Sequence, residues 1–172
     1  MTEFVVLVDE NGQEQGLMEK MEAHEKGLLH KAISVIIFNS DGKMLLQQRA
    51  LSKYHWPGIW SNSCCSHPRD GESFKDAAER RLGEELGFTM KLEKLFDFIY
   101  KAKDEDSGLI EHELDYVFVG TYDGDIDFNP DEVHAIDWVE VKDLLQDVEQ
   151  NPEKYSYWFK VILKEMENRK LL

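Results

Sequence analysis

Between Trp60 and Gly87 the chain reads WSNSCCSHPRDGESFKDAAERRLGEELG, which brings two thiols, an imidazole and a run of arginines and glutamates into one stretch. A thiolate can remove or deliver a proton, and an imidazole can ligate a metal. A guanidinium can clamp a phosphate through paired N–H donors. Further on, Glu111 and Glu113 stand two residues apart in an otherwise apolar stretch. On a strand they point to the same face while His112 points away. Two carboxylates aimed into one site are costly unless a cation neutralises them.

The elements that must position these groups follow from pattern. Ser73 with Asp76 three residues on predicts a helix start, and Gly87 its stop. On that helix Phe74, Ala78 and Leu82 face the core, whereas Ala77, Arg81 and Glu85, with Glu84 beside them, form the adjacent stripe. Carboxylate and guanidinium therefore project together. Residues 4–8 and 15–18 read as an edge hairpin turning at Asn11-Gly12, and 32–38 and 44–48 as a second pair around Ser40-Asp41-Gly42. Residues 91–101, with Phe96, Phe98 and Tyr100 on one face, 110–122 and 135–139 complete the strands. Helices are expected over 141–150 and from Pro152 towards Lys170, the last with an apolar stripe of Tyr155, Trp158, Phe159, Ile162 and Leu163 that reads as core.

Composition narrows the function. The 172 residues, 42% hydrophobic, fit one domain with a proper core and no dividing linker. No eighteen-residue apolar run occurs, and the N-terminus carries acids where a signal peptide is basic, so a soluble, cytoplasmic protein without membrane partners is expected. The two cysteines are neighbours, a poor geometry for a disulfide. A net charge of −15 argues against nucleic acid as a partner. Residues 101–135 hold eleven acids against two Lys or Arg, whereas 41–81 hold seven Lys or Arg against five acids. A basic pocket in an acidic protein suits a small anion such as a diphosphate. The acidic run at 123–132 reads as solvated surface; His55 and His112 have no site role.

Gly71-Glu72 followed by Arg80, Leu82, Glu84, Glu85, Gly87 and Phe88 resembles the Nudix box, with Arg81 where the hydrolases of that superfamily carry a glutamate and Ser66 where the box opens with glycine. Asn62-Ser63-Cys64-Cys65-Ser66-His67-Pro68, preceded by Trp56-Pro57-Gly58-Ile59-Trp60, is similar to the signature of the type 1 isopentenyl-diphosphate isomerases, Nudix-fold enzymes that do not hydrolyse. The resemblance spans nearly the whole chain. It implies an α/β (α+β) Nudix fold with a mixed β-sheet core flanked by helices, and one catalytic domain over 1–172 in which residues 1–30 form an N-terminal hairpin extension carrying metal ligands.

The same resemblance implies the residue roles. Cys65, Glu113, Tyr100 and Trp158 are its catalytic group, and Lys20, Arg49, Lys53 and Arg81 hold the substrate diphosphate. His24, His30, His67, Glu111 and Glu113 form a first metal site. Three imidazoles and two carboxylates suit Mn²⁺ or Zn²⁺. A second site, for Mg²⁺, uses Glu85 and the Cys65 carbonyl. His24 and His30 can share a metal only if a turn lies between them, which Glu25-Lys26-Gly27 could supply. The implied reaction interconverts isopentenyl diphosphate and dimethylallyl diphosphate, with a neutral Glu113 delivering a proton and a Cys65 thiolate, acidified by nearby cations, removing one. Sequence alone leaves open which is acid and which is base. Two alternatives stand beside it: a Nudix pyrophosphohydrolase acting on a nucleoside diphosphate derivative, which Arg81 disfavours, and a non-catalytic metal-binding Nudix domain, which leaves Cys65 without a task.

Overall fold

A computed structural model describes residues 2–53 and 56–172, so His55 lies outside the described residues. Strands β1 (Phe4–Val8) and β2 (Glu14–Glu19) form the expected edge hairpin. Helix α1 (Lys20–Lys26) follows and stops at Gly27, which adopts φ +67°. A side chain there would also press on Ile110 at 3.0 Å, so glycine both turns the chain and lets it pass. Strand β3 (His30–Phe38) is the hub. It lies beside β1, returns through a turn to β4 (Met44–Arg49), and pairs antiparallel with β6 (Cys64–Ser66), which follows the short β5 (Trp60–Ser61).

Helix α2 (Phe74–Leu86) begins as expected after Ser73, whose hydroxyl accepts from Asp76 N at 3.0 Å, and ends at Gly87. Beyond it, β7 (Glu93–Lys103) pairs antiparallel with β8 (Ile110–Thr121), and β8 runs parallel to β3. That one parallel pairing makes the sheet mixed. Strand β9 (Val133–Val139) pairs with β4, and α3 (Val141–Gln150) and α4 (Tyr157–Asn168) complete the chain. The last helix starts later than Pro152, which opens a separate 3₁₀ turn over Pro152–Lys154. Ser156 breaks the path: its N–H donates to Trp60 O at 2.9 Å, its hydroxyl meets Ser61 Oγ at 2.8 Å, and it caps α4 by accepting from Phe159 N.

Side chains of the sheet alternate between two cores. Ile33, Val35, Ile37, Cys64 and Phe118 pack with Ala77, Ala78 and Leu82 of α2. Ile36, Val117, Phe96 and Tyr100 pack with Trp158, Phe159 and Ile162 of α4, and Cys65 lies against this second core. Each large apolar side chain so buried contributes about 1.5–3 kcal/mol before ordering costs. The same alternation sorts the chemistry. Cys64 turns to α2 and Cys65 to α4, and Glu111, Glu113 and Asp115 share the parity of Val117 on the α4 side.

Candidate active site

Register assembles the first cluster. His30 pairs with Glu113 across β3 and β8, and Tyr100 pairs with Glu113 across β7 and β8. α1 and its Gly27 turn bring His24 alongside: the rings of His24 and His30 are 5.2 Å apart, and His67, just past β6, lies 5.1 Å from His30. His112, pointing away, meets Gly27 O through Nδ1 at 3.1 Å and so braces that turn.

The tautomers are set by the backbone. His24 Nδ1 lies 2.6 Å from Lys20 O and His30 Nδ1 2.8 Å from Leu28 O; a carbonyl can only accept, so both Nδ1 atoms carry hydrogen. In the neutral ring Nε2 then presents a lone pair, to Glu111 at 3.0 Å for His24 and to Glu113 at 3.1 Å for His30. His67 Nε2 is 2.6 Å from the same Glu113 oxygen. Lone pairs facing carboxylates repel unless a cation lies between them. One ligand atom from each of His24, His30, His67 and Glu111 lies within 4.8 Å of the others. The donor set therefore fits a divalent metal, with backbone carbonyls orienting two of the imidazoles from behind. Glu113 adjoins this group through His30 and His67.

A second cluster sits at the other end of the same cavity. Glu85, buried on α2, accepts from Gln47 Nε2 at 3.1 Å, Cys64 Sγ–H at 3.1 Å and Arg81 Nη2 at 3.2 Å. Arg81 also reaches Glu84 and Glu132, and its buried Nε has no partner among the described residues. Lys53 pairs with Glu132, and Lys20 with Glu3 at 3.0 Å. Arg49 donates through Nε to Trp56 O at 3.2 Å and stands 5.7 Å from the Trp158 ring. Lys20, Arg49, Lys53 and Arg81 all line the cavity, as do Cys65, Tyr100, Glu111, Glu113, His67 and Glu85. His24 and His30 stand behind Glu111 and Glu113. Trp158 closes the cavity from α4, 3% exposed.

Side-chain electrostatics alone run against two expectations. Burial pushes the Cys65 thiol up to about 12; Arg49 pulls the other way and loses, so the thiol is protonated rather than acidified. Glu113 is held down at about 2: burial and Glu111 oppose ionisation, but His67, whose Nε2–H can donate even from a neutral ring, prevails, and His30 adds to it only when a second proton makes its Nε2 a donor. It is an ionised acceptor, taking the Tyr100 hydroxyl hydrogen, instead of a neutral donor. His67 is lowered by burial to about 4 and is neutral, so the direction at Glu113 rests on hydrogen bonds more than on a full imidazolium. Burial lowers His24 too, yet Glu111 outweighs it and raises the ring, so a proton can stand between those two. Cys64 is raised by burial and by Glu85, which leaves it inert.

Several cavity residues escaped the sequence reading. Asp115 continues the alternation of Glu111 and Glu113; it is 1% exposed, accepts from Ser34 Oγ at 2.6 Å, and its Oδ1 has no partner among the described residues. Burial and Glu113 raise its carboxyl well above the usual range. A third acid at the same spacing was the available signal. Glu132, expected in a solvated run, instead bridges Lys53 and Arg81, because Asn129 N binds Glu85 O at 2.8 Å and ties that run to α2. Asn62 and Ser63 staple β6 in place: Asn62 Nδ2 donates to Val35 O, and Ser63 Oγ donates to Leu45 O and accepts from Ile37 N.

Residues 28–159 match the NUDIX domain family, so α1 and His24 precede the matched span. The chain is 49% identical over 163 residues to isopentenyl-diphosphate Delta-isomerase 2 of Aromatoleum aromaticum, covering 95% of this chain and 86% of that one. It is 46% identical over 166 residues to an isopentenyl-diphosphate Delta-isomerase of Serratia proteamaculans, covering 96% and 92%. A crystal structure from Deinococcus radiodurans superposes with a TM-score of 0.72 over 87% of this chain and 90% of that chain; at 20% identity it speaks for the fold alone. Likeness along almost the full length agrees with the signature around Cys65 and His67: the chain belongs to the Nudix superfamily and, within it, to the isopentenyl-diphosphate Delta-isomerases.

Proposed function

We propose that the chain interconverts isopentenyl diphosphate and dimethylallyl diphosphate through a tertiary carbocation, a step in isoprenoid precursor synthesis. One observation carries the reading: a thiol, a carboxylate and an indole, those of Cys65, Glu113 and Trp158, meet in a cavity also lined by Lys20, Arg49, Lys53 and Arg81. The cations are the substrate-binding group and hold the diphosphate; the slot between sulfur, carboxylate and indole takes the five-carbon tail.

The proton inventory is specific. With Cys65 protonated and Glu113 ionised, one exchangeable proton is stored on sulfur. The forward reaction needs the proton on the other group, with Glu113 as carboxylic acid and Cys65 as thiolate, an arrangement that positive charge brought near the sulfur would favour. Glu113 then protonates the terminal alkene carbon, and Cys65 removes a proton from the carbon on the far side of the cation, which returns both groups to the described state. Tyr100, whose hydroxyl donates to Glu113, steadies the carboxylate between these states. The Trp158 face stabilises the cation by about 2 kcal/mol in a desolvated site. It also excludes water, which would trap the cation as an alcohol.

The His24, His30, His67, Glu111 and Glu113 group would hold Mn²⁺ or Zn²⁺, and Glu85 with the Cys65 carbonyl would hold Mg²⁺. When bound, these ions would supply positive charge that offsets the clustered carboxylates, lowers the cost of a Cys65 thiolate and screens the diphosphate. A diphosphate that recruits Arg81 and Lys53 frees Glu85 and Glu132, and a cation then has carboxylates to join. The chain acts as one catalytic domain, with residues 1–30 as an extension supplying Lys20, His24 and His30. It works in the cytoplasm on small molecules, without nucleic acid; no helix among the described residues is long and apolar enough to cross a membrane.

Incubation with isopentenyl diphosphate, Mg²⁺ and Mn²⁺ in deuterated water tests the proposal. Deuterium in dimethylallyl diphosphate is expected. Release of phosphate or a monophosphate, or no reaction by metal-replete protein, would overturn it.

A further inference from the structure

Trp56 has no part in the chemistry described so far, yet its backbone and ring are both tied to groups that do. Its φ is +46°, in the left-handed region that a bulky residue rarely occupies. Strain of this kind persists only where neighbours hold it. Among the described residues, the end of β4 supplies that hold. Arg49 Nε donates to Trp56 O at 3.2 Å; Arg49 N donates to Ile59 O at 2.9 Å, and Arg49 O accepts from Gly58 N at 3.2 Å. Gln48 Nε2 adds a bond to Gly58 O at 3.0 Å. The loop of residues 56–59 is thus lashed to the end of β4, chiefly by Arg49.

The Trp56 ring, in turn, meets Trp158 edge-on, with centroids 5.7 Å apart and planes at 79°. In this T-shaped contact the positive edge of one indole touches the negative face of the other or the reverse, and it fixes the second ring's tilt. Arg49 is 5.7 Å from the same Trp158 ring, so one guanidinium touches both the loop and the indole that closes the hydrocarbon slot. Two residues before Trp158, at the start of α4, Ser156 is anchored to Trp60 and Ser61, immediately after this loop. Trp158 is therefore held by Arg49 and Trp56 directly, and by Trp60 and Ser61 through the start of its helix.

We infer that Trp56 is a positioning residue for the isomerisation: its edge holds Trp158 over the carbocation and keeps water out, and Arg49 holds Trp56, so gripping diphosphate and sealing the tail end are one act. The inference rests on the isomerase reading. Without the seal, water reaches the cation: its oxygen forms a bond to the tertiary carbon, one proton leaves to solvent, and the diphosphate ester stays intact. The product is a tertiary-alcohol diphosphate instead of an alkene, with no change of oxidation state from hydration of the substrate.

The test compares Trp56→Ala, Trp56→Phe and Trp56→Leu with unmodified protein in ¹⁸O-labelled water, with products read by mass spectrometry. In Trp56→Ala, kcat is expected to fall about tenfold with KM within about twofold, because the Arg49 bond is to a carbonyl that survives, and labelled alcohol diphosphate should appear. Trp56→Phe restores an aromatic edge and should suppress the alcohol. Trp56→Leu fills the loop without one and should leak as Trp56→Ala does, which preserves the comparison should the alanine variant prove insoluble. Arg49→Lys keeps a charge for the diphosphate but loses the Nε–H, and should also release alcohol. Absence of alcohol from Trp56→Ala and Trp56→Leu, or equal leakage from Trp56→Phe, overturns the inference; an unmodified protein that forms no dimethylallyl diphosphate overturns the isomerase reading as well.

Discussion

Two ends of one cavity treat the same side chain in opposite ways. At one end Glu111 and Glu113 face His24, His30 and His67, whose nitrogens can be lone pairs or donors; at the other Glu85 and Glu132 face Arg81 and Lys53, whose charge is permanent. Burial opposes it, but Glu85 and Glu132 keep the Arg81 guanidinium firmly charged. The second end is neutral by itself. The first needs a proton or a metal to be so. Reactivity belongs at the end whose charge is adjustable, and anchoring at the end whose charge is fixed.

The sharpest way to break this contrast is to remove the proton carriers. Cys65→Ala and Glu113→Gln should each lower turnover by about 10³-fold or more, the scale of losing positioned acid–base catalysis, while circular dichroism stays unchanged. Cys64→Ala, one residue away but on the α2 face, should keep turnover within about tenfold. It should destabilise by about 1–3 kcal/mol, since Glu85 loses a buried donor. Full activity in either of the first two variants would remove the assigned roles.

Next comes metal affinity. Glu111→Gln should weaken Mn²⁺ or Zn²⁺ binding by about 100-fold in calorimetry, whereas Glu132→Gln should leave it unchanged because its partners are Lys53 and Arg81. Equal losses in both would mean that the two ends do not differ. Smaller again is Arg81→Lys. An ammonium cannot reach Glu84, Glu85 and Glu132 together, so KM for the diphosphate should rise about tenfold with kcat less affected.

Much of this was legible in sequence where a local rule acts alone. Ser73 and Gly87 bounded α2 because a cap and a left-handed stop are properties of single residues; a side chain at Gly87 would lie 2.2 Å from Asp127 O. Glu111 and Glu113 were assigned one face because strand alternation is rigid. What could not be read depended on distant partners. The C-terminal helix was placed to begin near Pro152, but Ser156 is pulled into a bond with Trp60, almost a hundred residues earlier, and the helix restarts after it. Glu132 looked solvated until Asn129 was seen tied to Glu85. The protonation of Cys65 is not legible in sequence, because cations nearby along the chain say nothing about burial, which opposes the thiolate.

The smallest expected effect concerns pH, and it separates the two ends most directly. His67 is held by burial at about 4, below its ordinary 6.5. Between those values the unfolded chain binds a proton at this ring that the folded chain refuses, so the contribution of His67 to stability is complete above about pH 6.5 and is lost as pH falls through about 4. Asp115, whose raised carboxyl acts in the opposite sense, and Glu113 titrate nearby, so the comparison must be made against His67→Gln at each pH. In chelator-treated protein the stability of the parent minus that of the variant should shrink by up to about 3 kcal/mol from pH 7 to pH 4, read from urea midpoints. A flat difference for His67 would erase the distinction between adjustable and fixed charge on which the division of the cavity rests.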